Sequence, residues 1–358
     1  MPIPEWVPIR DDLRAFEPYG APQIPDVINL NVNENPYAPS PRVVADIAEA
    51  VARAAAGLNR YPDREAIELR TALAGYLGHG LTADRVWAAN GSNEVMLQVL
   101  QAFGGPGRTA LSFAPTYSMY PEYARDTHTR WVTGTRSEDF TIDVDRALAL
   151  IKAEQPDVVL LTSPNNPTGT ALPLDTVRAV MDVAPGVVVV DEAYAEFRRE
   201  GTPSALDVLD QHPRLLVTRT MSKAFALAGG RLGYVAADAG IIDALRIVRL
   251  PYHLSAVTQA VAVTALRHSD ELLARVAELR VTRDELAVWL RDQGFEVAES
   301  DANFILFGTF ADRHAIWQAL VDRGVLIRET GPDGWLRVSI GTPSETQTFR
   351  DALLEVTR

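Results

Sequence analysis

Apolar residues recur at helical spacing between residues 41 and 79: Val43, Val44, Ile47, Ala48 and Val51, then Ile67, Leu69, Leu73 and Leu77. This pattern predicts two amphipathic helices, with Asn59-Arg60-Tyr61-Pro62-Asp63 as the turn between them. Ahead of them, Pro18, Pro22, Pro25, Pro36, Pro39 and Pro41 interrupt residues 1–40, so this stretch reads as an extended arm. Arms of this kind reach across a neighbouring subunit. From residue 85 the pattern alternates. Short, continuously apolar runs (Arg85-Val-Trp-Ala-Ala, Thr109-Ala-Leu-Ser-Phe, Val158 to Thr162, Val187 to Asp191, Leu215 to Arg219) are separated by longer segments, including a helix from Asn93 to Phe103. Strands that are apolar on both faces, with helices between them, predict a mainly parallel sheet covered on both sides, an α/β domain.

After Pro251 the periodicity becomes that of a long charged helix, from about Val257 to Gln293, stopped by Gly294. Strand-like runs follow at Phe295-Glu-Val, Phe304-Ile-Leu-Phe, Val325 to Arg328 and Trp335 to Ile340, around one helix at 312–323. A smaller α+β domain is expected there. The expected organisation is an arm at 1–40, a large domain at 41–255 and a small domain at 256–358.

Composition narrows the function. A chain of 358 residues that is 47% hydrophobic is longer than a single core usually grows, in keeping with two domains. The net charge of −13 argues against a nucleic-acid surface, which draws its affinity from clustered Lys and Arg, so an anionic ligand must be met by a few local arginines. The absence of cysteine removes disulfides, thiolate nucleophiles and Cys-based zinc sites. No metal is expected. The start, Met-Pro-Ile-Pro-Glu-Trp, lacks the pattern of a signal peptide, and no apolar run is long enough to cross a bilayer. A cytoplasmic protein is expected.

The chemistry concentrates at strand ends. Val187 to Asp191 is a buried strand ending in an acid, at the position where open α/β sheets carry catalytic groups; Asp191 could equally cap a following helix. The next apolar strand runs into Thr220-Met-Ser222-Lys223-Ala-Phe. A lysine in such apolar company is either a snorkelling surface charge or a desolvated amine able to attack an aldehyde. The pair together points to pyridoxal 5′-phosphate (PLP), which needs a carboxylate against its pyridine nitrogen and a lysine for its aldehyde. Its phosphate suits Asn90-Gly91-Ser92-Asn93-Glu94, where a strand gives way to a helix with Ser92 as N-cap. Thr220, Ser222 and Arg231 can add donors. Tyr117, after the strand Leu111-Ser-Phe, can stack on the ring or pack in the core. Ser163-Pro-Asn-Asn166-Pro-Thr-Gly169 is a rigid loop suited to an asparagine that bonds the ring's phenolic oxygen.

The strings NENP (33–36), RYPD (60–63), NGSNE (90–94), SPNNPTG (163–169), DEAY (191–194), TMSKAFALAGGRLGY (220–234), PYHLS (251–255) and WLRVSIGT (335–342) resemble those of histidinol-phosphate aminotransferases, PLP-dependent enzymes of fold type I. The resemblance extends over nearly the whole chain. It implies that Lys223 holds the cofactor as a Schiff base, Asp191 pairs with the pyridine nitrogen, Asn166 and Tyr194 bond the phenolic oxygen, and Tyr117 stacks on the ring. Ser92, Asn93, Thr220, Ser222 and Arg231 would bind the phosphate, with Tyr61 joining from the other subunit of a homodimer. Arg337 would clamp the substrate anion, assisted by Tyr19, Asn33 and Arg328. The substrates implied are histidinol phosphate and glutamate with their oxo partners, in histidine biosynthesis. Relatives with similar motifs act on phenylalanine, tyrosine or threonine phosphate, and a ligand-sensing module without catalysis is a reading from a different class.

Overall fold

The computed structural model describes residues 3–357. The arm is extended as expected apart from one short turn of helix at Asp11–Leu13, and it contributes the strand β1 (Ile28–Asn29). Helix α1 (Pro41–Ala55) starts where Pro41 presets the first turn and the Ser40 side chain accepts the Val43 N–H. Helix α2 (Ile67–Leu77) buries Leu69, Leu73 and Leu77 on one face.

The large sheet is then laid down in chain order: β2 (Val86–Asn90), α3 (Ser92–Phe103), β3 (Thr109–Ala114), α4 (Tyr120–Asp126), β4 (Arg130–Thr135), α5 (Val144–Glu154), β5 (Val158–Thr162), α6 (Leu174–Val183), β6 (Val187–Asp191), β7 (Leu215–Thr220), β8 (Leu232–Ala237) and α7 (Ala239–Val248). Its strand order is β2-β8-β7-β6-β5-β3-β4. Only β8 runs against the others. Alternation along β6 shows why the run is apolar throughout: Val188 and Val190 enter one hydrophobic cluster, Val187 and Val189 the cluster on the opposite face. The registers Thr162↔Asp191 and Asp191↔Thr218 line up the carboxyl ends of β5, β6 and β7. They form one rim, the crevice position of open α/β sheets.

The helical stretch expected from 257 to 293 is two helices, α8 (Ala256–Arg267) and α9 (Ser269–Asp292). They break at His268, whose backbone leaves the helical region and whose ring bonds Asp46 of α1 at 2.8 Å. Beyond them β9 (Glu296–Val297), β10 (Phe304–Gly308), α10 (Arg313–Val321), β11 (Val325–Leu326), β12 (Arg328–Glu329), β13 (Leu336–Ser339) and α11 (Pro343–Thr357) complete the chain. The single strand expected at 325–328 is divided because its halves serve different partners. β11 pairs in parallel with β1, whereas β12 joins the antiparallel sheet β12-β13-β10-β9. The arm is thus tied into the C-terminal unit, with its following residues lying across the rim of the large sheet.

Candidate active site

A cleft of about 300 Å³ lies at that rim. The structure brings into it every residue singled out above except Tyr61. Asp191, at the end of β6, is buried and fully engaged: Oδ2 accepts the Tyr120 hydroxyl at 2.8 Å, and Oδ1 accepts the Thr218 hydroxyl and the Ala193 N–H, each at 3.2 Å. The last of these is a local turn and not a helix cap, since the short helix that follows (Ala195–Phe197) has Tyr194 at its N-cap and no side chain capping it; the capping alternative is not realised. Burial pushes Asp191 up to about 6, against the lowering by the Tyr120 and Thr218 hydroxyls. A cation delivered to this carboxylate would favour its ionised form.

Lys223, three residues past β7, donates from Nζ to the Val32 carbonyl of the arm at 2.8 Å. Desolvation, aided by Arg337 and Arg231 and opposed by Glu34, brings it down to about 8. It therefore belongs to the desolvated amines and not to the snorkelling charges. Among the chain's 358 residues there are only two lysines, Lys223 and the exposed Lys152, a scarcity visible in the sequence that would have strengthened the choice. Behind Lys223, Arg219 donates to the buried Glu192 at 2.7 and 3.1 Å, bracing the ends of β6 and β7.

The anion cradle departs from expectation in one respect. The N-cap of α3 is Gly91, not Ser92, and no side chain caps the helix. Gly91 has φ +82°, and a Cβ there would come within 2.6 Å of Arg231 Nη2. A Cβ at Gly233 would meet the Ser92 nitrogen at 2.0 Å. These two glycines let β8, Arg231 and the first turn of α3 converge, and Ser92 is released to line the cleft beside Asn93, Thr220 and Ser222. Ser222 donates its N–H to the Thr220 hydroxyl at 3.1 Å, which fixes the turn that leads to Lys223.

At the other end of the cleft, Arg337 on β13 and Arg328 on β12 are direct cross-strand partners. Arg337 donates to Asn166 Oδ1 and, at 2.7 Å, to the Asn31 carbonyl, leaving its Nε without a partner. The Asn166 oxygen is turned to Arg337, which leaves its amide N–H groups available to a ligand. Tyr194 accepts the Asn33 amide at 3.0 Å and keeps its own hydroxyl proton to donate. Both are therefore donors, as a phenolate oxygen requires. Tyr117 packs edge-on against Tyr120 and leaves a face toward the cleft. Tyr19, from the arm, bonds Ser118 at 3.0 Å.

Three arginines (Arg231, Arg328 and Arg337) line this cleft, and none lies within ion-pair distance of a carboxylate among the described residues. In a chain of net charge −13, that arrangement selects an anion at each end, with the Lys223 amine between them. PLP fits the observed donors: a phosphate site at the α3 start and Arg231, an acceptor at Asp191, two donors at Asn166 and Tyr194, and a low-pKa amine. Tyr61 is the exception. It is 79% exposed and stacks on Tyr252 with ring centroids 4.3 Å apart, outside the cleft of its own chain. Tyr120 and Thr218 were missed from sequence, although Tyr120 lies three positions beyond Tyr117 and donates its N–H to the Tyr117 carbonyl at 3.2 Å.

The family model for aminotransferase class I and II matches residues 25–353. The chain belongs to this family. Among curated proteins it is 65% identical to the histidinol-phosphate aminotransferase of Thermobifida fusca, over 98% of this chain and 96% of that protein. It is 61% identical to histidinol-phosphate aminotransferase 3 of Burkholderia lata, with the same coverage. Among solved structures, the family's fold recurs in histidinol-phosphate aminotransferase from Sinorhizobium meliloti in complex with pyridoxal-5′-phosphate, with a TM-score of 0.83, 26% identity and coverage of 91% of this chain and 90% of that one. Aspartate aminotransferase from Thermus thermophilus with maleate gives a TM-score of 0.78 at 26% identity, covering 93% and 91%. The fold type I architecture expected from the motifs is therefore the observed one.

Proposed function

We propose that this aminotransferase uses PLP to exchange an amino group between L-histidinol phosphate and 2-oxoglutarate, and between glutamate and imidazole acetol phosphate, in histidine biosynthesis. The observation that carries the reading is the unpaired Arg328–Arg337 couple facing Lys223. A substrate with no carboxylate but a phosphate needs such a clamp, and the same planar fork holds the carboxylate of glutamate. The two curated relatives above bear this activity in their names.

When bound, PLP supplies a pyridine ring that withdraws electrons and an aldehyde carbon that takes up the amino group. The chain's own residues do the rest. Asp191, held by Tyr120 and Thr218, keeps a proton on the ring nitrogen. Ser92, Asn93, Thr220, Ser222 and Arg231 hold the phosphate, while Asn166 and Tyr194 donate to the phenolic oxygen and Tyr117 covers the ring. Arg337 orients the substrate through its anionic group, with Arg328, Asn33 and Tyr19 at the same end. Desolvation pushes Lys223 Nζ down to about 8, which suits it to act as a base near neutral pH. In its neutral form the amine would accept the proton from the amine-bearing carbon of the substrate and hold it for return.

In this reading residues 41–255 are the cofactor-holding domain, 256–358 the smaller domain that carries Arg328 and Arg337, and 1–40 the arm that joins them. A homodimer gives the exposed Tyr61 a function at the partner's phosphate site. The segments around it expose Leu58, Ile67, Ile247 and Leu250 and are held to each other by the Arg249–Glu65 ion pair at 2.9 Å. No helix among the described residues is long and apolar enough to cross a membrane. The test is a coupled assay of the purified protein with histidinol phosphate and 2-oxoglutarate, beside phenylalanine and tyrosine as amino donors. Preferential turnover of histidinol phosphate supports the proposal; a preference for the aromatic amino acids replaces it with the aromatic aminotransferase reading. Absence of transamination with any donor despite bound cofactor replaces it with a ligand-sensing module.

A further inference from the structure

Glu34 is the one acid in the cleft, other than Asp191, among the described residues. Its setting is unusual because the main chain is pinned while the carboxylate is left alone. On one side, Asn33 donates its N–H to Ser339 Oγ at 2.9 Å, accepts the Ser339 hydroxyl on Oδ1 at 2.9 Å, and accepts the Asn303 amide on its carbonyl at 3.0 Å. On the other side, Asn35 donates to the Ala224 carbonyl, next to Lys223, at 3.2 Å. The residue is thus held over the lysine. Its own carboxylate makes no hydrogen bond or ion pair among the described residues, yet it is close enough to oppose the lowering of Lys223. An unpaired carboxylate fixed over a cleft that otherwise presents three arginines and a lysine does not serve an anion. It fits a ligand group that donates protons or carries positive charge.

We infer that Glu34 is a specificity-determining residue that recognises the N–H of the imidazole ring of the phosphate-bearing substrate, while Arg337 and Arg328 take its phosphate. This rests on the function proposed above and deepens it. The two amino donors differ in the sign of their second polar group: glutamate offers another carboxylate, histidinol phosphate a ring that donates through nitrogen and becomes cationic near its ordinary pKa of about 6.5. A carboxylate at position 34 favours the second and disfavours the first. Discrimination of this kind comes as much from repelling the wrong group as from attracting the right one.

The test is a pair of single-turnover half-reactions on the cofactor-loaded enzyme, one with glutamate and one with histidinol phosphate, for wild type and Glu34→Gln. The isosteric amide removes the charge at an exposed position and keeps the size. The expected result is a fall of fivefold or more in the ratio of the specificity constant for histidinol phosphate to that for glutamate. A smaller change in that ratio, including an equal loss on both substrates from an altered Lys223, overturns the inference. A wild-type enzyme that does not turn over histidinol phosphate at all fails the proposed function itself, and this is seen before the variant is examined.

Discussion

The Tyr120 hydroxyl lies 2.8 Å from Asp191 Oδ2, with both residues buried and 71 positions apart in the chain. It also contacts the Thr162 hydroxyl at 2.9 Å, so one phenol ties the ends of β5 and β6 and leans edge-on against Tyr117. A hydrogen bond to a charged group contributes about 1.5–3 kcal/mol. Tyr120→Phe is accordingly expected to weaken PLP retention roughly ten- to a hundredfold, read as the dissociation constant from a titration of cofactor-free protein. Unchanged affinity would mean that Asp191 does not need this donor.

Arg337→Lys keeps the charge and loses the planar fork that reaches Asn166, the Asn31 carbonyl and the ligand together. The specificity constants for glutamate and for histidinol phosphate should both fall roughly a hundredfold, about 2.7 kcal/mol of transition-state binding. Steady-state kinetics on the two substrates gives the answer, and a loss confined to one of them would remove Arg337 as the shared clamp.

Cofactor-free protein should load PLP at a rate that rises with pH through a midpoint near 8, because only neutral Lys223 Nζ attacks the aldehyde and burial brings this amine down to about 8. Absorbance stopped-flow across pH 6 to 10 reads this directly. The same depression acts on stability. Between about 8 and the ordinary lysine value of 10.5 the unfolded chain binds more protons than the folded one, so the cofactor-free protein gains stability as pH rises through that window. Lys223→Met should stabilise cofactor-free protein near neutral pH, on the order of 1–2 kcal/mol once solvent access to the cleft is discounted. Thermal unfolding of the two cofactor-free proteins measures it.

Gly91→Ala forces a side chain into φ +82° and against Arg231. With ψ at 163° this is a conformation essentially restricted to glycine, so the backbone cost is about 1–3 kcal/mol, and displacement of Arg231 should weaken phosphate binding as well. Melting temperature should drop in the cofactor-free protein and drop further in the loaded one.

Much of this architecture was legible because continuous apolar runs such as 187–191 and 215–219 can sit only inside a two-sided sheet, and their polar ends had to meet at one edge. β8 escaped notice because Leu232-Gly-Tyr-Val-Ala-Ala follows a glycine-rich turn and offers few β-branched residues. β4 escaped because an edge strand with a mixed burial pattern carries polar residues such as Arg130 and Thr133. α11 could have been read from Thr346, Phe349 and Leu353 at helical spacing, and all three are buried. In the site, Asp191 and Lys223 announced themselves by following apolar strands. Tyr120 did not, since what gives it meaning is an acceptor brought to it only by folding. The arm illustrates the same limit: its prolines excluded a helix, but nothing in them indicated that the Val32 carbonyl would receive Lys223 or that Glu34 would be left unpaired above it.

Lys223 is assigned to hold the cofactor, and a chain with only two lysines allows a direct test. Purified protein loaded with PLP is reduced with borohydride, digested and mapped by mass spectrometry. The expected result is a reduced pyridoxyl-phosphate adduct on the peptide carrying Lys223, lost in Lys223→Ala, with Lys152 unmodified; an adduct on Lys152 alone, or none on either peptide, would rule Lys223 out as the holder.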